Sequence, residues 1–116
     1  MNWLKLITDA QLMEINLLSQ NSEIDAVAIF KHSSRCSISS MALNRLERAW
    51  EISEKKVPAY FLDILEHRSI SNKIVELYGI SHESPQFLLI KNGKCIYSAS
   101  HSNISVADIT SASLSN

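Results

Sequence analysis

The stretch that most constrains this chain runs from Asp25 to about Lys55. Asp25-Ala26-Val27-Ala28-Ile29-Phe30 is a short, nearly continuous apolar run with β-branched members, the composition of an inner strand buried on both faces. It passes directly into the polar segment Lys31-His32-Ser33-Ser34-Arg35-Cys36. From Ser37 onward Ile38, Ala42, Leu46, Ala49 and Trp50 recur at three- and four-residue steps, which predicts a long amphipathic helix ending near Lys55. A buried strand therefore feeds a helix through a short polar loop, and Cys36 stands where that helix begins.

The flanking segments complete an α/β pattern. Leu12, Ile15 and Leu18, widened by Met13 and Leu17, predict a first helix over Asp9 to Ser19. After Pro58, the run Ala59-Tyr60-Phe61-Leu62-Asp63-Ile64 has the aromatic and aliphatic composition of a second inner strand. A third helix is expected from about Ser69 to Tyr78, stopped by Gly79. Phe87-Leu88-Leu89-Ile90 and Cys95-Ile96-Tyr97-Ser98-Ala99 flank Asn92-Gly93, a strong hairpin signal, so these two strands should be antiparallel. A closing helix with a fraying tail is expected from about Ser105 to Leu114. The order places a βαβ crossover before a hairpin and a final helix, the layout of a thioredoxin fold with a central mixed four-stranded sheet flanked by helices.

The 116 residues, 46% of them apolar, suit one domain over 1–116 with a core of its own. Eleven basic residues against 12 acidic ones leave a net charge of -1, which provides no field for a phosphate backbone or an anionic bilayer. Nucleic acid and membrane are therefore not expected partners. The start Met1-Asn2-Trp3-Leu4-Lys5 lacks the basic head and long apolar run of a signal peptide, so a cytoplasmic location is expected. In a reducing compartment two cysteines argue poorly for a structural disulfide, and each must be judged by its surroundings.

Cys36 at a helix start meets unpaired backbone N–H groups and the positive end of the helix dipole, which favour a thiolate over a thiol. Lys31, His32 and Arg35 add positive charge nearby in sequence, so Cys36-Ser37-Ile38-Ser39 reads as a redox C-x-x-C whose second cysteine has become serine. A free cysteine is more often a small buried hydrophobe, but the polar neighbourhood and the strand-to-helix position favour a nucleophile. Ser39 is not ionised near neutral pH and cannot attack a disulfide; it either donates a hydrogen bond to the Cys36 sulfur or is an ordinary first-turn serine.

Ser84-Pro85-Gln86 precedes the hairpin, where a proline marks a strand's beginning. Local sequence alone favours a trans bond there, and only the thioredoxin-fold assignment, in which this position is a cis-proline facing the nucleophile, reverses that preference. Cys95 alternates with Tyr97 and Ala99 on one face of the last strand and reads as a packing residue. His32, His67, His82 and His101 form no zinc-recruiting spacing, so no metal is expected; His32 is placed to tune Cys36, whereas His67 and His82 read as solvated surface groups.

Several of these segments, taken together, resemble a known family. Phe30-Lys31-His32-Ser33-Ser34-Arg35-Cys36-Ser37-Ile38-Ser39, Val57-Pro58-Ala59-Tyr60, Ser71-Asn72, Tyr78-Gly79, His82-Glu83-Ser84-Pro85-Gln86, Asn92-Gly93 and Ser100-His101-Ser102 are similar to the YtxJ-like monothiol bacilliredoxins. The likeness spans roughly residues 24 to 110. It implies a thioredoxin fold, a nucleophile at Cys36, a cis-proline at Pro85 and removal of bacillithiol from mixed disulfides on protein cysteines. Bacillithiol would be a thiol co-substrate and no cofactor would be tightly bound; the partners would be S-bacillithiolated proteins and bacillithiol or a reductase. Contacts to the co-substrate's carboxylates would come from His32 and Arg35 and from the backbone at Ser84 and Pro85. The family usually carries proline directly after the cysteine, where this chain has Ser37, which restores an N–H at the first helical residue. Two rival expectations stand beside this one: a glutaredoxin-like protein serving another small thiol, and a non-catalytic thioredoxin-fold binding module.

Overall fold

A computed structural model describes residues 1–114. Its elements are β1 (Trp3–Lys5), α1 (Ala10–Leu18), β2 (Val27–His32), α2 (Ser37–Ala49), β3 (Ala59–Asp63), α3 (Arg68–Tyr78), β4 (Gln86–Lys91), β5 (Lys94–Ser100), a 3₁₀ turn (His101–Asn103) and α4 (Val106–Leu114). The fraying tail expected beyond Leu114 lies outside the described residues.

The sheet has the order β1-β3-β2-β4-β5, so it has five strands and not the expected four. β1 accounts for the difference: three residues pair in parallel with β3, Trp3 opposite Ala59, at the edge of the sheet. Trp3 holds this strand by packing its ring 5.6 Å from that of Phe61 and 5.9 Å from that of Phe30. β2 lies at the centre, parallel to β3 on one side and antiparallel to β4 on the other. All six of its residues are buried, as a strand covered on both faces requires.

Alternation along β2 divides the core into two layers. Val27 and Ile29 join Leu12 and Ile15 of α1 and Ile70 and Ile74 of α3. Ala28 and Phe30 join Ala42 and Leu46 of α2 and Ile109 of α4 on the opposite face. α2 ends at Ala49, short of the predicted Lys55. Trp50 leaves the helix with extended backbone (ψ 119°) and packs its ring 5.9 Å from Phe87, and Glu51 to Lys56 supply no apolar period to continue the helix.

Turn chemistry sets the remaining geometry. Gly79 closes α3 in the left-handed region at φ 72°, its N–H bonded to the Val75 carbonyl at 2.8 Å. Asn92 and Gly93 both have positive φ, 53° and 74°, as a two-residue hairpin turn demands. The end of α1 braces that turn: the Ser19 carbonyl accepts Asn92 N–H at 2.8 Å and the Ser19 hydroxyl accepts Gly93 N–H at 3.0 Å.

Candidate active site around Cys36

β2 runs out at His32, and the chain turns through Ser33, Ser34 and Arg35 to Cys36. Cys36 is half-buried and forms the N-cap of α2 with extended backbone (φ -113°, ψ 118°). Its N–H donates to the Ser33 carbonyl at 3.1 Å, and its carbonyl accepts Ser40 N–H at 3.1 Å. The sulfur thus sits at the end of a 13-residue helix whose first N–H groups have no intrahelical acceptor and whose first turn carries no acidic residue. Ser37 and Arg35 are exposed beside it.

Ser39 points inward and is fully buried. Its Oγ lies 2.7 Å from His32 Nδ1 and accepts Ser33 N–H at 3.1 Å. Of the two roles open to Ser39 in the sequence, neither is the one observed: it ties the turn before Cys36 to the end of β2, and it makes no hydrogen bond to the Cys36 sulfur among the described residues. His32 is 7% exposed, its ring 6.0 Å from Phe30 and 5.2 Å from Phe61. Burial lowers the pKa of His32, and the charge of Asp63, its partner across the β2–β3 ladder, opposes that shift.

The proline loop meets the same end of the sheet. In the β2–β4 ladder Lys31 stands opposite Gln86, so the residue preceding β4, Pro85, lies where β2 gives way to the Cys36 turn. The Ser84–Pro85 peptide bond is cis. The Pro85 carbonyl accepts His101 N–H at 3.0 Å, His101 Nε2 lies 3.5 Å from Glu83 Oε2, and Arg45 of α2 donates to the His101 carbonyl at 3.4 Å. His101 adopts φ 55° to make this corner. The Ser84 hydroxyl and Gln86 Oε1 are buried without a hydrogen-bond partner among the described residues.

The sequence groups Lys31 with His32 and Arg35 as charge near the cysteine, but strand alternation turns it to the opposite face of the sheet. There it is fully buried, with Nζ 3.3 Å from the Ser71 carbonyl and 3.4 Å from His82 Nδ1. Ser71 Oγ also reaches His82 Nδ1 at 3.1 Å, so His82, exposed at the surface as expected, is tied through Nδ1 to the buried Lys31 and Ser71. Sequence reasoning missed this cluster; the available signal was a lysine falling in phase with Val27 and Ile29 on an inner strand.

Cys95 lies at the other end of the sheet. It pairs with Ile90, which pairs with Val27, and from Val27 to Lys31 the strand runs about 13 Å before the chain reaches the Cys36 turn. Its face also differs from the sequence expectation. A register shift between Leu89 and Ile90 leaves one extra residue in β5, so Cys95 packs on the α1 and α3 side while Tyr97 and Ala99 pack on the other. Burial raises the pKa of the Cys95 thiol, with hydrogen bonding between the thiol and the backbone at Tyr97 and Leu89 opposing. Among the described residues no group of three or more His, Cys, Asp or Glu side chains gathers as a metal site, and no helix is long and apolar enough to cross a membrane.

A mixed sheet between two helical layers, with a cysteine opening α2 and a cis-proline at the start of β4, defines a thioredoxin-fold protein. Solved structures agree with this class. A structure described as that of a candidate oxidoreductase with a thioredoxin fold superposes at TM-score 0.76 with 27% identity, covering 94% of this chain and 91% of its own. Thioredoxin from Malassezia sympodialis gives 0.72 at 18% identity over 98% and 90% of the two chains, and thioredoxin from Trypanosoma brucei brucei gives 0.69 at 16% over 98% and 88%. The sequence profile of the family described as Monothiol bacilliredoxin BrxC matches residues 5–109. The chain belongs to that family, and both family and fold are those of thiol-disulfide oxidoreductases.

Proposed function

We propose that this protein is a cytoplasmic monothiol oxidoreductase that removes bacillithiol from protein mixed disulfides through Cys36. The Cys36 thiolate attacks the bacillithiol sulfur, a new S–S bond forms, the old one breaks, and the protein thiolate leaves and takes a proton from solvent. A second thiol, bacillithiol itself or that of a reductase, then attacks the adduct and regenerates the Cys36 thiolate. The bacillithiol leaves in a disulfide with that second thiol, so the protein cysteine is reduced and the second thiol oxidised, while Cys36 ends unchanged. His32, Arg35, Ser37 and Ser39 support the sulfur or its turn in this reading, and the backbone at Ser84 and Pro85 receives the disulfide-bearing chain as an added strand.

The observation that carries the reading is the isolation of Cys36: Ser39 stands in the place of a resolving thiol, and Cys95 lies at the far end of the sheet. Protein substrates are favoured by two exposed apolar side chains beside the cysteine, Ile38 at 52% and Met41 at 60%, neighbours on one face of α2. The test is turnover of one model protein carrying either a bacillithiol or a glutathione mixed disulfide. Faster release of bacillithiol supports the proposal; preference for glutathione favours a glutaredoxin-like protein, and no turnover of either favours a binding module.

A further inference from the structure

Among the described residues Lys31 is a fully buried cation without a carboxylate partner, an arrangement that is costly in a core unless hydrogen bonds replace water. Burial draws its pKa down to about 8. Its hydrogen bonds lead to two places: the Ser71 carbonyl in α3 and Nδ1 of His82 in the loop before β4. Because an ammonium group only donates, Nδ1 must be an acceptor, and the neutral ring then carries its hydrogen on Nε2. The Ser71 hydroxyl, at 3.1 Å from the same nitrogen, can donate or accept and is compatible with that tautomer.

His82 stands three residues before the cis-proline, in the loop that leads to Ser84 and Pro85. Gln86, opposite Lys31 and so on the same face of the sheet, donates from Nε2 to the Ser81 carbonyl at 3.0 Å and ties the other flank of that loop to the strand. The loop is therefore pinned from within the core at Ser81 and His82, while His101 pins it from outside at Pro85. Lys31 is the member of this set that belongs to the strand leading to Cys36. We infer that Lys31 is a positioning residue for thiol exchange: bonded to His82 from inside the core, it fixes the loop that presents Ser84 and Pro85 to the disulfide attacked by Cys36. This inference rests on the function proposed above.

The experiment compares wild type with Lys31→Met, which keeps the volume and removes the donors, and with His82→Leu, which removes the acceptor. Two reactions of each protein are followed: alkylation of Cys36 by iodoacetamide, which needs only the sulfur, and exchange with a bacillithiol mixed disulfide on a model protein, which needs the loop. Exchange should fall about tenfold in both single variants, and no further in the double variant, while alkylation stays within about twofold. Undiminished exchange in Lys31→Met, or an equal fall in both reactions, overturns the inference. Should wild type release neither bacillithiol nor glutathione, the proposed function fails separately, and amide hydrogen exchange over residues 80–86 decides the positioning role. Faster exchange of that segment in Lys31→Met sustains it, and unchanged protection overturns it.

Discussion

Ser39 Oγ lies 2.7 Å from His32 Nδ1, which places the side chain three positions after Cys36 inside the sheet's second layer. With one lone pair already taken by Ser33 N–H, the Ser39 hydroxyl completes a closed local network that joins the last residue of β2 to the first turn of α2. The turn carrying Cys36 is thus held by groups that do not themselves exchange disulfides.

That network predicts the cost of its removal. Ser39→Ala leaves a buried histidine nitrogen and the Ser33 N–H without their partner, and should lower stability by roughly 1–3 kcal/mol in urea denaturation. Iodoacetamide should still modify Cys36 in this variant. A loss of stability below a few tenths of a kcal/mol would show that the network contributes little.

The separation of the two cysteines predicts a single adduct. Oxidised bacillithiol should add one bacillithiol to Cys36 in wild type and in Cys95→Ser, and none to Cys36→Ser, by intact mass spectrometry. A disulfide needs Cα atoms within about 7 Å, far less than the strand length between the two sites. Recovery of a Cys36–Cys95 bridged peptide at a mass two hydrogens below the reduced protein would contradict the monothiol assignment.

Acid should weaken the fold from the histidines upward. Burial lowers the pKa of His32, opposed by Asp63. Burial lowers that of His82 too, reinforced by Lys31 and Arg68 and opposed by Glu83. Just below the ordinary histidine value of about 6.5 the unfolded chain binds more protons than the folded one, so stability is retained above that pH and lost as the pH falls through the window beneath it. Urea midpoints measured between about pH 7.5 and pH 5.5 should decline, and a His32→Gln/His82→Gln double variant should decline less. Equal slopes for the two proteins would refute this origin.

Alkali should act through Lys31 in the opposite sense. Its folded pKa of about 8 lies below the ordinary 10.5, so between these values the unfolded chain holds the extra proton and the buried cation's contribution improves as the pH rises. The raised pKa values of Cys95, Tyr60, Tyr78 and Tyr97 act in the other direction, so the comparison with Lys31→Met isolates the lysine. Relative to that variant, wild type should gain about 2 kcal/mol between about pH 7.5 and pH 9.5, at about 1.4 kcal/mol per unit. A difference that does not change with pH would mean that Lys31 titrates as an exposed lysine does.

What could be read from the sequence was what local chemistry dictates. Asn92-Gly93 and Gly79 announced their positive-φ turns, and the apolar run before Cys36 announced an inner strand. β1 was not legible because three residues, with Leu4 and Lys5 exposed, carry no period. The face of Cys95 is not legible in the sequence because alternation assumes an unbroken ladder, and the shift at Leu89 and Ile90 breaks it. The Lys31 cluster escaped because its partners lie 40 and 51 residues away, beyond the reach of any local pattern.

The brace between Ser19 and the Asn92-Gly93 turn bears on how the molecule assembles. Two acceptors at the end of the first helix find their donors 73 and 74 positions later, so α1 cannot complete its contacts while the chain is still short. On a ribosome the amino-terminal third would wait, loosely formed, until the hairpin had emerged. In a refolding experiment the closing of this long loop should then coincide with the main cooperative step, and no stable fragment ending before the hairpin should exist.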